Sequence, residues 1–254
     1  MDSEPLNGVP RRALVTGGGK RIGAAMATAL AEDGFDVALH CHRSVDEAEA
    51  LKAEIEGMGR RAAVLQADLA DGDEAAALVP RAAEALGPLG VLVNSAALFD
   101  NDRLETMTPD GMERQIAVNL KAPLLLAQAF VGGLPDEASG LVVNLLDQRV
   151  LNPTRSYLTY TVAKAGLMAA MEVMARGLAP RVRLAGIGPG HVLSAPGMDD
   201  AAFERLVKAT PLGIASDVDE IVAAFRFILH ARSVTGQMIL VDSGMHMGWK
   251  YPKR

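Results

Sequence analysis

The segment that most constrains the fold is a short apolar stretch followed by a glycine-rich turn and a helix of small residues. The pattern predicts a buried strand at Arg12–Thr16, a turn at residues 17–23, and a helix that ends near Asp33 and is closed by Gly34. In this order the backbone N–H groups of the turn lie at the positive end of the helix, where they bind phosphate groups. A plain tight turn is the alternative. A Walker loop is excluded, because Lys20 is not followed by Ser or Thr.

Strand-like and helix-like segments alternate along the rest of the chain. We predict further strands at residues 35–41, 62–66, 91–94, 141–146, 183–187 and 238–241, and helices at residues 44–58, 73–86, 108–130, 159–178 and 216–229. This alternation predicts a parallel sheet with right-handed crossovers and a ligand cleft at the carboxyl ends of its strands. The predicted fold class is α/β: a single doubly wound Rossmann-type domain with a mainly parallel seven-stranded sheet between helices.

Two segments fall outside the alternating pattern. Residues 1–10 are polar and contain proline, and we expect a loose N-terminal segment before a single domain at residues 11–254. Residues 194–211 are rich in small residues, and we expect an irregular substrate loop over the cleft.

Charge and cysteine content limit the partners of the chain. The formal net charge of −6 argues against a broad nucleic-acid surface, so anionic ligands require local basic clusters. Cys41 is the only cysteine, which excludes an internal disulfide and a cysteine-rich zinc site and fits a reducing compartment. The first ten residues lack the order of a signal peptide, and no segment reaches about 18 apolar residues without a charge. We expect a cytoplasmic protein without a metal site and without a membrane or nucleic-acid partner.

Basic and polar side chains follow the second predicted strand. His42, Arg43 and Ser44 stand at its carboxyl end, with Lys20 or Arg21 across the cleft. In a nicotinamide-binding fold, an acidic residue at this place binds the free ribose 2′-hydroxyl, whereas a basic residue accommodates a 2′-phosphate. The sequence therefore favours NADPH over NADH as the cofactor, with a solvated strand end as the alternative.

Two further polar residues follow predicted strands. Asp68 comes after the third strand and Asn94 ends the fourth, so each is a candidate cofactor contact at the cleft edge. Asp68 is equally suited to capping the segment that follows it.

Tyr160 and Lys164 are four residues apart in a predicted helix and therefore share one face. A positive charge at about 4 Å from the phenol, with an effective dielectric constant near 20, is worth roughly 4 kcal/mol, or about three pKa units. Tyr160 could then exchange protons near neutral pH. An exposed helix pair without a chemical role is the alternative.

Taken together, these residues resemble the short-chain dehydrogenase/reductase family over essentially the whole chain. The resemblance rests on Thr16 with the turn at residues 17–23, Asp68-Leu69, Asn94-Ser95-Ala96, Asn119, Tyr160 with Lys164, and Pro189-Gly190. It implies that Tyr160 donates a proton to the reduced substrate, that Lys164 lowers the pKa of Tyr160 and holds the nicotinamide ribose, and that Asn119 supports a water-linked proton path. The implied cofactor contacts are Gly17, Lys20, Arg21, Ile22, Gly23, His42, Arg43, Ser44, Asp68, Leu69, Asn94, Ala96, Tyr160, Lys164, Pro189, Gly190 and Val192.

Two departures from the common family pattern resemble the pteridine reductases. Arg21 stands where the family usually has glycine, and Asp147 stands thirteen residues before Tyr160, where it usually has serine. Phe99, five residues after Asn94, matches the ring that sandwiches the pterin against the nicotinamide in that group. The resemblance implies NADPH-dependent reduction of a pterin C=N bond, with the substrate held by Arg21, Phe99, Asp147 and Tyr160.

Two of these residues could have simpler roles, and the protein could have other functions. Asp147 could cap the strand end or pair with Arg149, and Phe99 could pack in the wall of the cleft. A short-chain reductase of a carbonyl substrate is the first alternative function, and a non-catalytic NADP-binding regulator is the second. The helices predicted at residues 108–130 and 159–178 resemble the dimer interface of the family, so we expect a homodimer or homotetramer.

Overall fold

Seven parallel strands form one sheet at the centre of the computed structural model, which describes residues 6, 8–193 and 199–248. The strand order is β3-β2-β1-β4-β5-β6-β7. The strands are β1 (Arg12–Thr16), β2 (Asp36–Cys41), β3 (Ala62–Gln66), β4 (Val91–Asn94), β5 (Gly140–Leu145), β6 (Val182–Pro189) and β7 (Gln237–Val241). The predicted doubly wound parallel sheet is confirmed, and strand ends differ from the prediction by at most two residues.

Helices cover both faces of the sheet. They are α1 (Arg21–Glu32), α2 (Val45–Gly57), α3 (Gly72–Leu86), α4 (Pro109–Ile116), α5 (Ala122–Gly133), α6 (Leu158–Leu178), α7 (Asp200–Lys208) and α8 (Val218–His230). Successive strand residues point to opposite faces, so Leu14 packs in the core beneath α3, α5 and α6, and Val15 in the core beneath α1, α2 and α8. Burial on both faces explains why the strands are continuous apolar runs.

The strand order changes direction between β1 and β4. The chain runs outward from β1 through β2 to β3, and then returns to place β4 on the other side of β1, with Thr16 opposite Asn94. The loops after these two strands therefore diverge and leave a crevice at their carboxyl ends. This crevice is where the sequence predicted the ligand cleft.

A π-helical turn at Ala117–Lys121 separates α4 from α5. The sequence predicted one continuous helix over residues 108–130, whereas the structure has an irregular turn just before Pro123, which lies at the start of α5. The whole stretch from 109 to 133 is long and apolar enough to cross a membrane by length and composition. Leu126 and Phe130 of α5 are nevertheless buried in the core against the sheet, which accounts for its apolar character. π-helical turns are frequent at functional sites, and this one holds Asn119.

Two predictions about irregular segments need correction. Residues 199–211, expected to be part of an irregular loop, contain α7, whose first turn is capped by Asp199 through its bond from Ala202 N at 2.6 Å. Residues 194–198 of the predicted loop lie outside the described residues. In the N-terminal segment, expected to be loose, Leu6 is buried and Val9 packs on the same core, because both are apolar side chains beside β1. Residues 1–5 and 7 lie outside the described residues.

Candidate active site

A cleft of about 940 Å³ opens at the carboxyl ends of the strands. The loops after the first six strands line it, together with two residues of α7, Phe203 and Leu206. Most of the predicted site residues lie in its wall: Gly17, Lys20, Arg21, Ile22, Gly23, His42, Arg43, Ser44, Asp68, Leu69, Ala96, Phe99, Asp147, Tyr160, Pro189, Gly190 and Val192. Asn94, Asn119 and Lys164 lie behind the wall and do not line it.

The glycine turn after β1 leaves room for a phosphate group. Gly17 has a φ of 63°, and a Cβ at Gly23 would meet Gly17 O at 2.2 Å, so neither position tolerates a side chain without a shift. Lys20, the residue before α1, makes no side-chain cap, so the first N–H groups of α1 keep their hydrogen-bonding capacity. This donor set at a helix N-terminus fits a pyrophosphate.

Arg21 occupies a position suited to glycine. Its backbone is left-handed with a φ of 55°, a conformation that costs a non-glycine residue roughly 1 to 2 kcal/mol. Glycine would adopt this conformation without that cost. Arg21 lines the cleft, where its guanidinium can reach a bound ligand.

The basic cluster after β2 lies at one end of the cleft. Lys20 pairs with Glu47 at 2.5 Å, so its charge is partly balanced, and His42 lies 3.8 Å from Asp68. Arg43 is exposed in the cleft wall and has no ion pair among the described residues. Asp68 lines the cleft and accepts a hydrogen bond from Ala70 N at 2.9 Å, in the turn before α3, whose N-cap is Asp71. Its contact with the cofactor stays a prediction.

At the other end of the cleft, Tyr160 and Asp147 form a hydrogen-bonded pair. The phenol of Tyr160 donates to Oδ2 of Asp147 at 3.1 Å. The same carboxylate accepts from Arg149 N at 2.8 Å, and the Arg149 guanidinium lies 3.4 Å from Oδ2. Both alternatives for Asp147, a turn cap and an Arg149 partner, are therefore seen beside its contact with Tyr160.

The pKa of Tyr160 is shifted in the direction opposite to the one that the sequence predicted. Burial, followed by the charge and hydrogen bond of Asp147, raises the pKa of Tyr160 well above its usual value, and only Arg149 acts in the lowering direction. The predicted lowering by Lys164 is wrong for this structure. Lys164 Nζ donates to Leu145 O at 2.7 Å and lies 5.8 Å from the centre of the Tyr160 ring, and burial lowers its own pKa to about 8.

An aromatic shelf adjoins the Asp147–Tyr160 pair. The rings of Phe99 and Tyr157 stack with centroids 4.3 Å apart, and Phe99 meets the Tyr160 ring edge-on at 4.8 Å. The Arg149 guanidinium lies 5.3 Å from the Phe99 ring and 4.8 Å from the Tyr157 ring. Phe99 is 42% exposed, so a flat ligand can still reach it. Phe99 is thus both a packing residue and a wall of the cleft.

Two predicted asparagines serve the structure around the cleft. Asn119, fully buried in the π-helical turn, accepts from Leu98 N at 3.2 Å and donates to Leu98 O at 2.9 Å, which fixes the residue before Phe99. Asn94 donates to Asn144 Oδ1 at 2.9 Å across β4 and β5. Neither side chain reaches the cleft wall. The water-linked proton path through Asn119 stays a prediction.

Sequence reasoning assigned no site role to many residues of the cleft wall, among them His40, Arg149, Tyr157 and His191. Tyr157 is the residue before α6 and has a left-handed φ of 62°, so helix spacing does not relate it to Tyr160. Its ring stacks on Phe99, a contact that the sequence does not reveal. His191 directly follows Gly190, and burial lowers its pKa. His40 lies inside a strand, where the apolar pattern gave no reason to single it out.

Comparisons with known proteins agree with this geometry. The short chain dehydrogenase family model matches residues 11–205. The crystal structure of FolM alternative dihydrofolate reductase 1 from Brucella canis, complexed with NADP, has 41% sequence identity and a TM-score of 0.89, covering 95% of this chain and 96% of that chain. The Brucella suis protein of the same name, also with NADP, has 40% identity and a TM-score of 0.91, covering 97% and 98%.

A relative with a different name is also similar. The 3-oxoacyl-[acyl-carrier-protein] reductase FabG of Staphylococcus aureus is 31% identical over 244 residues, which is 93% of this chain and 98% of that protein. The family match spans far more than half of the chain and coincides with the predicted turn, strand order and Tyr160–Lys164 helix. The chain belongs to the short-chain dehydrogenase/reductase family of oxidoreductases.

Proposed function

We propose that this protein is an NADPH-dependent reductase that transfers hydride to a C=N bond of a pterin of the dihydropteridine, dihydromonapterin or dihydrofolate type. The observation that carries the proposal is the hydrogen bond from Tyr160 to Asp147 at 3.1 Å, beside the exposed ring of Phe99. The similarity to two FolM alternative dihydrofolate reductases crystallised with NADP supports it. A small pterin is the expected partner, and a cytoplasmic location stays a prediction.

The cofactor side of the cleft suits NADPH. The turn at residues 17–23 and the uncapped start of α1 hold the pyrophosphate, and Arg43 with His42 and Ser44 receives the 2′-phosphate. Pro189 and Gly190 line the same cleft as Tyr160, and the nicotinamide is expected near them. The bound cofactor supplies the hydride; the chain supplies its position and the proton.

The substrate side of the cleft suits a flat heteroaromatic ring. Phe99 offers a ring face for stacking, and Tyr160 closes the site edge-on at 4.8 Å. Arg21 enters from the phosphate turn in a left-handed conformation, which a side chain with a ligand contact would justify. The Arg149 guanidinium contacts both the Phe99 ring and the Asp147 carboxylate, and it thereby helps to position these two side chains.

The proton for the substrate comes from the Asp147–Tyr160 pair. Hydride addition to carbon places an electron pair on the ring nitrogen, which would then take a proton delivered through Asp147. The Asp147 carboxylate accepts the Tyr160 hydrogen bond, so the proton that it passes on is the phenol proton of Tyr160, and solvent then returns a proton to Tyr160. A carboxyl group is a stronger acid than the serine hydroxyl usual at this position, which suits transfer to a basic nitrogen.

Reduction of a carbonyl substrate is the second candidate function. The family resemblance assigns proton donation to Tyr160 with Lys164, and similarity to a 3-oxoacyl reductase of Staphylococcus aureus favours it. Asp147 has no evident role in that reaction. A non-catalytic NADP-binding regulator is the third candidate, and the retention of both Asp147 and Tyr160 at hydrogen-bond distance argues against it.

Turnover by the purified protein tests the proposal. NADPH is supplied with dihydrobiopterin, dihydromonapterin or dihydrofolate, and its absorbance is followed over time. We expect cofactor consumption with at least one pterin, and its loss in Tyr160→Phe, which excludes a contaminating reductase. Absence of turnover on all three substrates contradicts the proposal.

A further inference from the structure

His40 of β2 is a buried side chain that bridges two walls of the cofactor cleft. Its Nδ1 lies 3.2 Å from Gly17 N, in the glycine turn after β1. Its Nε2 lies 3.1 Å from Ala67 O, at the end of β3. The side chain is only 2% exposed, and the residue lines the cleft. His40 thus joins the turn that faces the pyrophosphate to the loop that carries Asp68.

These two contacts are compatible with only one form of the imidazole. Gly17 N is a donor, so Nδ1 must accept, and Ala67 O is an acceptor, so Nε2 must carry the proton. The ring is therefore neutral, with the hydrogen on Nε2. A second proton on Nδ1 would face the Gly17 N–H group, and two donors cannot share this contact.

The surroundings favour the neutral ring. Burial lowers the pKa of His40 below 6.5, and the Ala67 carbonyl acts in the opposite direction. The charged and titratable groups facing the ring come from three elements. His42 at the end of β2 and Arg81 of α3 lower its pKa, and Asp68 after β3 raises it.

The Gly17 turn depends on this acceptor. Gly17 has a φ of 63°, and a Cβ there would lie 3.0 Å from Ala96 Cα, so the turn has little space to move. The neighbouring Gly18 N donates to His40 O at 2.9 Å. Both N–H groups at the start of the turn are therefore held by His40, one by its backbone and one by its ring.

We propose that His40 is a positioning residue for the cofactor, whose neutral ring holds the phosphate-binding turn and whose protonation releases the turn and weakens NADP binding. The proposal concerns the cofactor alone. It stands or falls independently of the pterin substrate, because its test requires no turnover.

The test is NADP⁺ binding measured by titration calorimetry between about pH 5.5 and 8. The variant His40→Asn keeps an acceptor near the Nδ1 position and cannot take up a proton, whereas His40→Leu fills the space without an acceptor. The control His230→Asn removes a half-exposed histidine at the end of α8, outside the cleft. The control matters because the 2′-phosphate of the ligand also titrates in this range, and it does so in all four proteins.

We expect His40→Leu to bind NADP⁺ about 5- to 100-fold more weakly than wild type at pH 8, because Gly17 N loses its buried partner. We expect His40→Asn to bind within a few-fold of wild type at pH 8 and to lose less affinity than wild type and His230→Asn as the pH falls. Equal pH dependence in His40→Asn and wild type overturns the proposal. If His40→Leu binds NADP⁺ as tightly as wild type, the proposal is also overturned. If His40→Leu does not fold, the comparison of His40→Asn with wild type still decides the question.

Discussion

The Tyr160 hydroxyl donates to Oδ2 of Asp147 at 3.1 Å, which joins a residue of α6 to the second residue after β5. The structure reverses the expected direction of electrostatic influence on Tyr160. Its pKa is raised, first by burial and then by Asp147, while Lys164 faces Leu145 O. Removing the charge at position 147 should therefore make the phenol more acidic.

That expectation gives a first prediction. In Asp147→Asn, the side chain keeps its shape and loses its charge, so the pKa of Tyr160 should fall relative to wild type. Tyrosinate absorbance during alkaline titration measures it, with Tyr160→Phe and the double variant used to subtract the other tyrosines. An identical Tyr160 titration in wild type and Asp147→Asn contradicts the assignment of Asp147 as a cause.

Replacing Arg21 with glycine should raise the stability of the protein and weaken substrate binding. Arg21→Gly relieves the left-handed strain but gains backbone freedom in the unfolded state, for a net gain of about 0.5 to 1 kcal/mol. The melting temperature should rise by roughly 1 to 4 °C while the pterin KM increases. Arg21→Ala is the matched control, since it keeps the strain and removes the guanidinium. A pterin KM unchanged in both variants contradicts a substrate role for Arg21.

Arg43 should determine the choice of cofactor. In Arg43→Ala a charge-assisted contact to the 2′-phosphate is lost, so the preference for NADPH over NADH should fall about 10- to 150-fold. Binding of the two reduced cofactors by fluorescence measures it. Arg60→Ala is the control, because that guanidinium bonds Gly34 O at 3.3 Å outside the cleft. Parallel losses of NADPH and NADH affinity would rule out recognition of the 2′-phosphate by Arg43.

The protein should be a dimer or tetramer in solution. Val162 and Val173 of α6 are 47% and 71% exposed, and Met112 of α4 is 40% exposed, so the helix pair presents apolar side chains to solvent. Light scattering should return about twice or four times the chain mass of 26.7 kDa, and Val173→Glu should reduce it. A monomer mass for the wild type at micromolar concentration contradicts this prediction.

The fold was predictable because several independent features of the sequence indicate it. Each strand is a short apolar run bounded by a turn or a helix cap, and the alternation permits few topologies. The order of β1 and β4 then places the cleft without further information. The helix α7 escaped prediction because it is short and follows a segment rich in small residues, although Phe203, Leu206 and Val207 are spaced as on one face of a helix.

The site was predictable only where the sequence pattern carries chemistry. The positions of Tyr160 and Asp147 followed from the family resemblance, but the direction of the Tyr160 pKa shift depended on burial and on where Lys164 Nζ points. The roles of His40 and Asn119 depend on hydrogen bonds to the backbone of distant segments, at Gly17 and Leu98. Such contacts have no signature in a single sequence.

The most direct test of the central claim compares two substrate classes in one variant. NADPH oxidation by wild type and Asp147→Ser is measured with a dihydropterin and with a ketone. If Asp147 is the acid for the ring nitrogen, kcat/KM for the pterin falls about 10²- to 10⁴-fold in Asp147→Ser, while any ketone turnover survives. Pterin reduction that persists unchanged in Asp147→Ser contradicts the account.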